Sequence, residues 1–445
     1  MEPRPARRLP FAFAQLDASV QRAPVWLEAT DTAQSSGILY TPAHGAPPAN
    51  DARASSPRST VAAGPARTAV YLMHPRGEFS RHYVVPPLAA RGYAVFGHNS
   101  RYLNNDTDMV HERLLFDIAA GMRFLREHGF EHIVLLGNSG GGSLLGFYQS
   151  QASRKPGDRL TSTPGGEPID LSGEDMPEGD VYIAVAAHLG EGRFMLNVID
   201  PAVTDEDDPA ASDPAWDMYN PANGYRPWPE ASSYDQSWVA AYRQKQRERT
   251  QRLDDIARGY IAEQQKYRAI TKDAAFATLP VDQQGEMTRR SRLWRHMIIY
   301  RTLANPAYLD PAIDPSKRRL GSIFSPGDPI IGNYGPGGLA RTMTPRAWLS
   351  TWSGLSSQAD LPHTIGNVTI PTLIVYADGD CDIFPSEQRE LFEKSGAPDK
   401  QLLELPWADH YLNPVGDEGA RLGDPRERLI EMIVPWIEQR IGGPV

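Results

Sequence analysis

Three residue groups in this 445-residue chain could together do chemistry: Ser139, an aspartate cluster at Asp378, Asp380 and Asp382, and His410. A serine hydroxyl is a poor nucleophile at neutral pH and needs an imidazole to take its proton. That imidazole needs a carboxylate to fix its tautomer and to stabilise the imidazolium. Ser139 lies in Gly137-Asn138-Ser139-Gly140-Gly141, a G-x-S-x-G spelling. The apolar run Ile133-Val-Leu-Leu136 before it predicts a buried parallel strand, and Leu144, Leu145, Phe147 and Tyr148 after it predict a helix. In such a turn the small residues two positions either side let strand and helix pack closely, and the serine is pushed out at the carboxyl end of the sheet. A P-loop would need Lys where Ser143 stands, and a dinucleotide fingerprint would need Gly where Leu145 stands.

The elements that must position these groups alternate along the chain. Val25–Ala29 and Gly37–Tyr40 predict an antiparallel opening hairpin, after a poorly structured lead-in over 1–20. His44 to Arg67, rich in Pro, Ala and Ser, predicts a surface loop. Buried strands follow at Thr68–Met73, Ala94–Gly97, Ile133–Leu136 and Val181–Ala187, with an amphipathic helix from Val110 to about Gly129. From about Gly192 to Gly366 no convincing strand appears. Charged helical stretches lie at Tyr242–Lys272 and Gln283–Leu303, with Trp216, Trp228, Trp238, Trp348 and Trp352 around them. The Arg243–Arg252 run reads as a solvated helix face, and the tryptophans as mostly core, with one or two turned to a pocket. The sheet resumes at Pro371–Ala377 and Gln401–Leu405, and an amphipathic helix, Arg426–Ile441, closes the chain. The expected fold class is α/β, a mostly parallel sheet with helices on both faces and a large, mainly helical cap. The expected organisation is a core in two parts, 1–191 and 367–445, with a cap over 192–366.

The order Ser, Asp, His on successive strand ends resembles the α/β-hydrolase superfamily over roughly 260 residues outside the cap. The resemblance implies that Ser139 is the nucleophile and His410, the one histidine after the last strand, its base. It makes Asp380 the acid, because Asp380 follows the strand and precedes the Pro385-led helix at the family's spacing; Asp382 is the alternative, and Asp378 holds the turn. Asp409 is expected to bond within its own loop. Gly140 N–H is the implied first oxyanion donor. His74-Pro75-Arg76 resembles the family's His-Gly-X with Pro in place of Gly, and Pro75 has no N–H to give, so Arg76 is the implied second donor, its side chain free to meet solvent or, as the alternative, a substrate carboxylate.

The implied activity is hydrolysis of a carboxylic ester, lactone or amide of a bulky, aromatic or hydrophobic small molecule, through an acyl-enzyme and without metal or organic cofactor. C–C bond hydrolysis and acyl transfer could use the same triad; a binding module with a vestigial triad is the reading from another class. Ser139 argues against dehalogenases and epoxide hydrolases, which place Asp at the elbow. A net charge of −10 argues against nucleic acid or anionic membrane as the main partner. No run approaches a membrane span, and the twin Arg near the start precedes too short an apolar segment for a signal peptide. The one cysteine, Cys381, excludes an internal disulfide framework and a Cys-rich zinc site. The expected compartment is the cytoplasm, and the charged cap helices could mediate homo-oligomerisation.

Overall fold

The computed structural model describes residues 16–17, 19–42, 66–335 and 339–444. Most of the expected lead-in and nearly all of the 44–67 loop lie outside these residues. Eight strands form one sheet: β1 (Gln21–Glu28), β2 (Gln34–Thr41), β3 (Thr68–Leu72), β4 (Ala94–Asn99), β5 (His132–Asn138), β6 (Val181–Val185), β7 (Thr372–Ala377) and β8 (Lys400–Leu405), in the order β1-β2-β4-β3-β5-β6-β7-β8. The opening hairpin pairs β1 with β2 antiparallel, and β2 joins β4 antiparallel. Every other pairing is parallel. The loops after β3, β5, β6, β7 and β8 therefore leave the sheet along one edge.

The central strands are buried on both faces, as continuous apolar runs in a parallel sheet require. Alternate residues feed two separate cores. Tyr71, Leu135, Tyr182 and Ile374 pack on one face against α2 (Leu114–Glu127) and α3 (Gly140–Ala152). Val70, Leu136, Ile183 and Val375 pack on the other, against α1 (Val85–Ala90) and the closing helix Pro425–Ile441. Side-chain alternation along the strands thus fixes the register, since a one-residue slip would exchange the two cores.

Between β6 and β7 the chain makes α4 (Glu191–Val198), the 37-residue α5 (Gln236–Lys272) and α6 (Val281–Arg292), which packs on α5. Asp235 caps α5 by accepting from Ser237 N–H at 2.8 Å. Two short departures from expectation occur here. Met297–Ile298 pairs with Thr342–Met343 as a small antiparallel ladder, and residues 293–303 are not helical.

The Arg243–Arg252 run is also not a purely solvated face. Tyr242, Gln246, Arg249, Leu253, Ala257, Ile261 and Gln264 form a buried stripe at helical spacing. Arg249 is 1% exposed. It grips Glu206 with two bonds of 3.0 and 2.7 Å and donates to Asp200 O at 2.7 Å. Its burial is tolerable because each charge is paired and hydrogen-bonded. Trp348 and Trp352 are fully buried, whereas Trp228 is exposed. No helix among the described residues is long and apolar enough to cross a membrane.

Candidate active site

Ser139 follows β5 directly, in a backbone conformation (φ 54°, ψ −127°) that L-residues rarely adopt. Its N–H is tied to Val185 O at 3.0 Å, and the neighbouring Asn138 Nδ2 donates to the same carbonyl at 3.0 Å. The turn closes so tightly that a Cβ on Gly137 would come within 2.4 Å of Gly141 O. These restraints hold the strained residue and leave it half-buried at the start of α3.

The loops after β7 and β8 bring the other two groups to it. His410 Nε2 is 3.0 Å from Ser139 Oγ, and His410 Nδ1 is 2.6 Å from Asp380 Oδ2. The second oxygen of Asp380 accepts the N–H groups of Asp382 at 2.9 Å and Ile383 at 3.1 Å. The two loops are laced together: Gly379 N–H donates to Ala408 O at 2.9 Å, and Trp407 N–H donates to Asp378. Asp409 accepts from Tyr411 N–H and Asn413 N–H and so shapes its own loop. Burial alone would push His410 down. The charges of Asp380, Asp382 and Asp409, with the Asp380 hydrogen bond, outweigh it and hold the imidazole above its ordinary value.

Asp382 stands elsewhere. It accepts from Tyr308 OH at 2.7 Å, Ser322 Oγ at 2.9 Å and Ile323 N–H at 2.6 Å, all between β6 and β7. The structure therefore brings Ser139, His410 and Asp380 into one chain of hydrogen bonds and directs Asp382 to the insertion. His363 is largely exposed beside Asp360 and has no part in this chain.

On the opposite flank the structure departs from expectation. Arg76 N–H donates to His74 Nδ1 at 3.2 Å, and Gly77 N–H donates to the same atom at 2.8 Å. The Arg76 N–H, expected to face an oxyanion, is thus turned into its own loop, because His74 folds back under that loop and accepts it. A ring nitrogen that accepts an N–H carries no proton, so His74 is the Nε2–H tautomer. Its Nε2 lies 2.9 Å from the point where a Cβ on Gly140 would stand. Gly140 N–H belongs to the first turn of α3, where no intrahelical acceptor exists. Nor does the Arg76 side chain face solvent. It is 3.1 Å from Asp106, 3.7 Å from Glu191 and stacked over Trp352 at 5.1 Å.

Two residues unmarked in the sequence reading complete this flank. His188 and Glu191 follow β6 at the same sheet edge as Ser139, which is the signal that could have found them. His188 Nδ1 accepts Gly190 N–H at 3.1 Å, so its Nε2–H points at Glu191 Oε1, 3.6 Å away. Burial would raise Glu191, but Arg76 and His188 outweigh it and hold the carboxyl well below its usual range. The wall beside Gly140 is charged and polar rather than aromatic. Among the described residues no His, Cys, Asp and Glu side chains group as a metal site.

No family model matches the chain, and no curated protein matches it. Among solved structures it is similar to the alpha/beta hydrolase GrgF from Penicillium sp. sh18, at TM-score 0.47 and 12% identity over 95% of this chain and 99% of that one. It is also similar to the Pyrococcus furiosus esterase Pf2001, at TM-score 0.42 and 12% identity over 95% and 93% of the two chains. A third similar structure is the esterase domain of a Rhodothermus marinus protein, at TM-score 0.39 and 11% identity over 95% and 100%. Likenesses this distant carry no argument about activity, which rests on the geometry above.

Proposed function

We propose that this chain, an α/β-hydrolase by its sheet and the order of its strand-end residues, is a serine hydrolase acting on a carboxylic ester, lactone or amide of a small molecule. The observation that carries the reading is the unbroken run of hydrogen bonds from Ser139 through His410 to Asp380, at 3.0 and 2.6 Å. Ser139 Oγ attacks the carbonyl carbon while its proton passes to His410 Nε2. The imidazolium is stabilised by Asp380, whose other oxygen is fixed by two backbone N–H groups. The oxyanion forms against Gly140 N–H at the positive end of α3, with the Nε2–H of His74, which lies beside Gly140, as the second donor. Collapse expels the alcohol or amine, which takes the proton from His410, and leaves Ser139 acylated. A water that gives its proton to His410 then attacks the acyl carbon, and as the acyl–Oγ bond breaks Ser139 takes that proton back and the acid leaves.

The segment between β6 and β7 acts as a cap, since its Tyr308 donates to Asp382 on the loop that carries Asp380 and its Trp352 lies under Arg76 on the loop after β3. C–C bond hydrolysis and acyl transfer use the same residues and differ only in the group that leaves or arrives.

The test is labelling by a fluorophosphonate probe together with turnover of an ester, lactone and anilide panel, on the wild type and on Ser139→Ala. Labelling at Ser139 and a fall in kcat of about 10⁴ or more in the variant are expected, because triad members act as a unit. A wild type that neither labels nor turns over any ester would leave a binding role for the fold. Turnover that survives the substitution would place the nucleophile elsewhere.

A further inference from the structure

The least satisfied charge beside the site is Glu191. Its side chain is 1% exposed, and its Oε1 is buried without a hydrogen-bond partner among the described residues. Arg76 Nη2 at 3.7 Å and His188 Nε2 at 3.6 Å are the nearest opposing groups, both beyond hydrogen-bonding reach. An ionised carboxylate buried without a hydrogen bond is strongly unfavourable unless something else supplies one. The same flank buries both ring nitrogens of His111 and Trp352 Nε1 without partners. Arg76 is shared between Glu191 at 3.7 Å and Asp106 at 3.1 Å.

Glu191 Oε1 lies 2.9 Å from the position of a Cβ on Gly140, the residue after Ser139, and His188 Nε2 lies 3.0 Å from the same point. We infer that Glu191 anchors a protonated amine on the acyl part of the substrate, one or two carbons from the scissile carbonyl, so that the substrates are esters or amides of amino acids or similar amino-bearing acids. The inference rests on the serine-hydrolase reading and names its substrate class. An ammonium supplies the hydrogen bond that Glu191 Oε1 lacks and pairs its charge. A hydroxyl supplies a hydrogen bond only, and leaves a bare carboxylate beside a forming oxyanion. Without the amine, that carboxylate opposes the oxyanion, so the device selects both for cationic and against neutral substrates.

The experiment uses the full chain and three matched ethyl esters, of phenylalanine, 3-phenyllactic acid and 3-phenylpropionic acid, which carry NH₃⁺, OH and H at one carbon. In the wild type the amino ester should exceed both others in kcat/KM by at least about 10-fold. In Glu191→Gln the advantage should fall below about 3-fold. Glu191→Asp, which keeps the charge, should restore part of the preference, and fluorophosphonate labelling of Ser139 reports an intact site in each variant. A hydroxy or unsubstituted ester that matches the amino ester in the wild type overturns the inference. So does a preference that survives in Glu191→Gln. Should none of the esters turn over, protection against labelling is compared between 1-amino-2-phenylethylboronic acid and 2-phenylethylboronic acid. Stronger protection by the amino compound, lost in Glu191→Gln, supports the amine anchor, and equal protection overturns it alone. Absence of labelling overturns the hydrolase reading and this inference with it.

Discussion

On the His410 flank of Ser139 the polar atoms satisfy one another, whereas on the Glu191 flank they do not. Asp380 accepts three hydrogen bonds, and Asp409 spans its own loop. Glu191, His111 and Trp352 across the elbow bury polar atoms without partners. Both flanks start from the carboxyl ends of parallel strands, so strand position does not separate them. The difference lies in what completes each flank. A proton relay works when its members are held in one geometry by the protein alone. A recognition surface works when part of its bonding capacity is left for the ligand, at a cost in stability to the empty fold.

The sharpest way to break this comparison is at the relay. Asp380→Asn keeps the shape of the site but lets His410 adopt the wrong tautomer, and kcat should fall by about 10³–10⁴ with little change in KM. Steady-state kinetics on any turned-over ester measures it. A change under about tenfold would mean that Asp382 supplies the acid after all.

A smaller effect is expected two residues on. Asp382→Ala strands Tyr308, Ser322 and Ile323 N–H in the interior and should cost about 2–4 kcal/mol, read as a lower urea midpoint. An unchanged midpoint would show that Asp382 does not tie the insertion to the β7 loop.

The pH profile gives the smallest shift. Protonated His410 cannot take the Ser139 proton, and its value is raised, so kcat/KM should rise with pH along a limb centred above 6.5. In Asp382→Asn that limb should move down by a fraction of a unit, since Asp382 is one of the charges raising His410. The linkage to folding has the opposite sense. The raised value contributes stability below pH 6.5 that is lost as pH rises through the folded-state value.

Local pattern carried the elements of the relay. The strand before Ser139, its glycines and the strand ends at Asp380 and His410 are each legible in a few consecutive residues, because burial on both faces leaves near-continuous apolar runs. The charged stretch of α5 was not legible. The partner that lets Arg249 be buried, Glu206, lies 43 residues away, and no local period reports it. The engagement of the Arg76 N–H was not legible for a related reason: whether an N–H is open depends on where the side chain of His74 folds, and spacing is silent on that. His188 and Glu191 follow a strand end that was recognised, but they spell no motif, so only the shared sheet edge marks them.

The hydrogen bonds at Asp382 have a consequence for how this protein can change. An insertion joined to its host only at two ends could be trimmed, exchanged or cut by a protease and leave the host working. Here one carboxylate between Asp380 and the Pro385-led helix receives three donors from residues 308–323. Cleavage within 308–323 would loosen the loop that orients His410, so nicking and loss of activity should proceed together. For the same reason, new specificity would arise by substitution within the existing segment more readily than by transplanting another in its place.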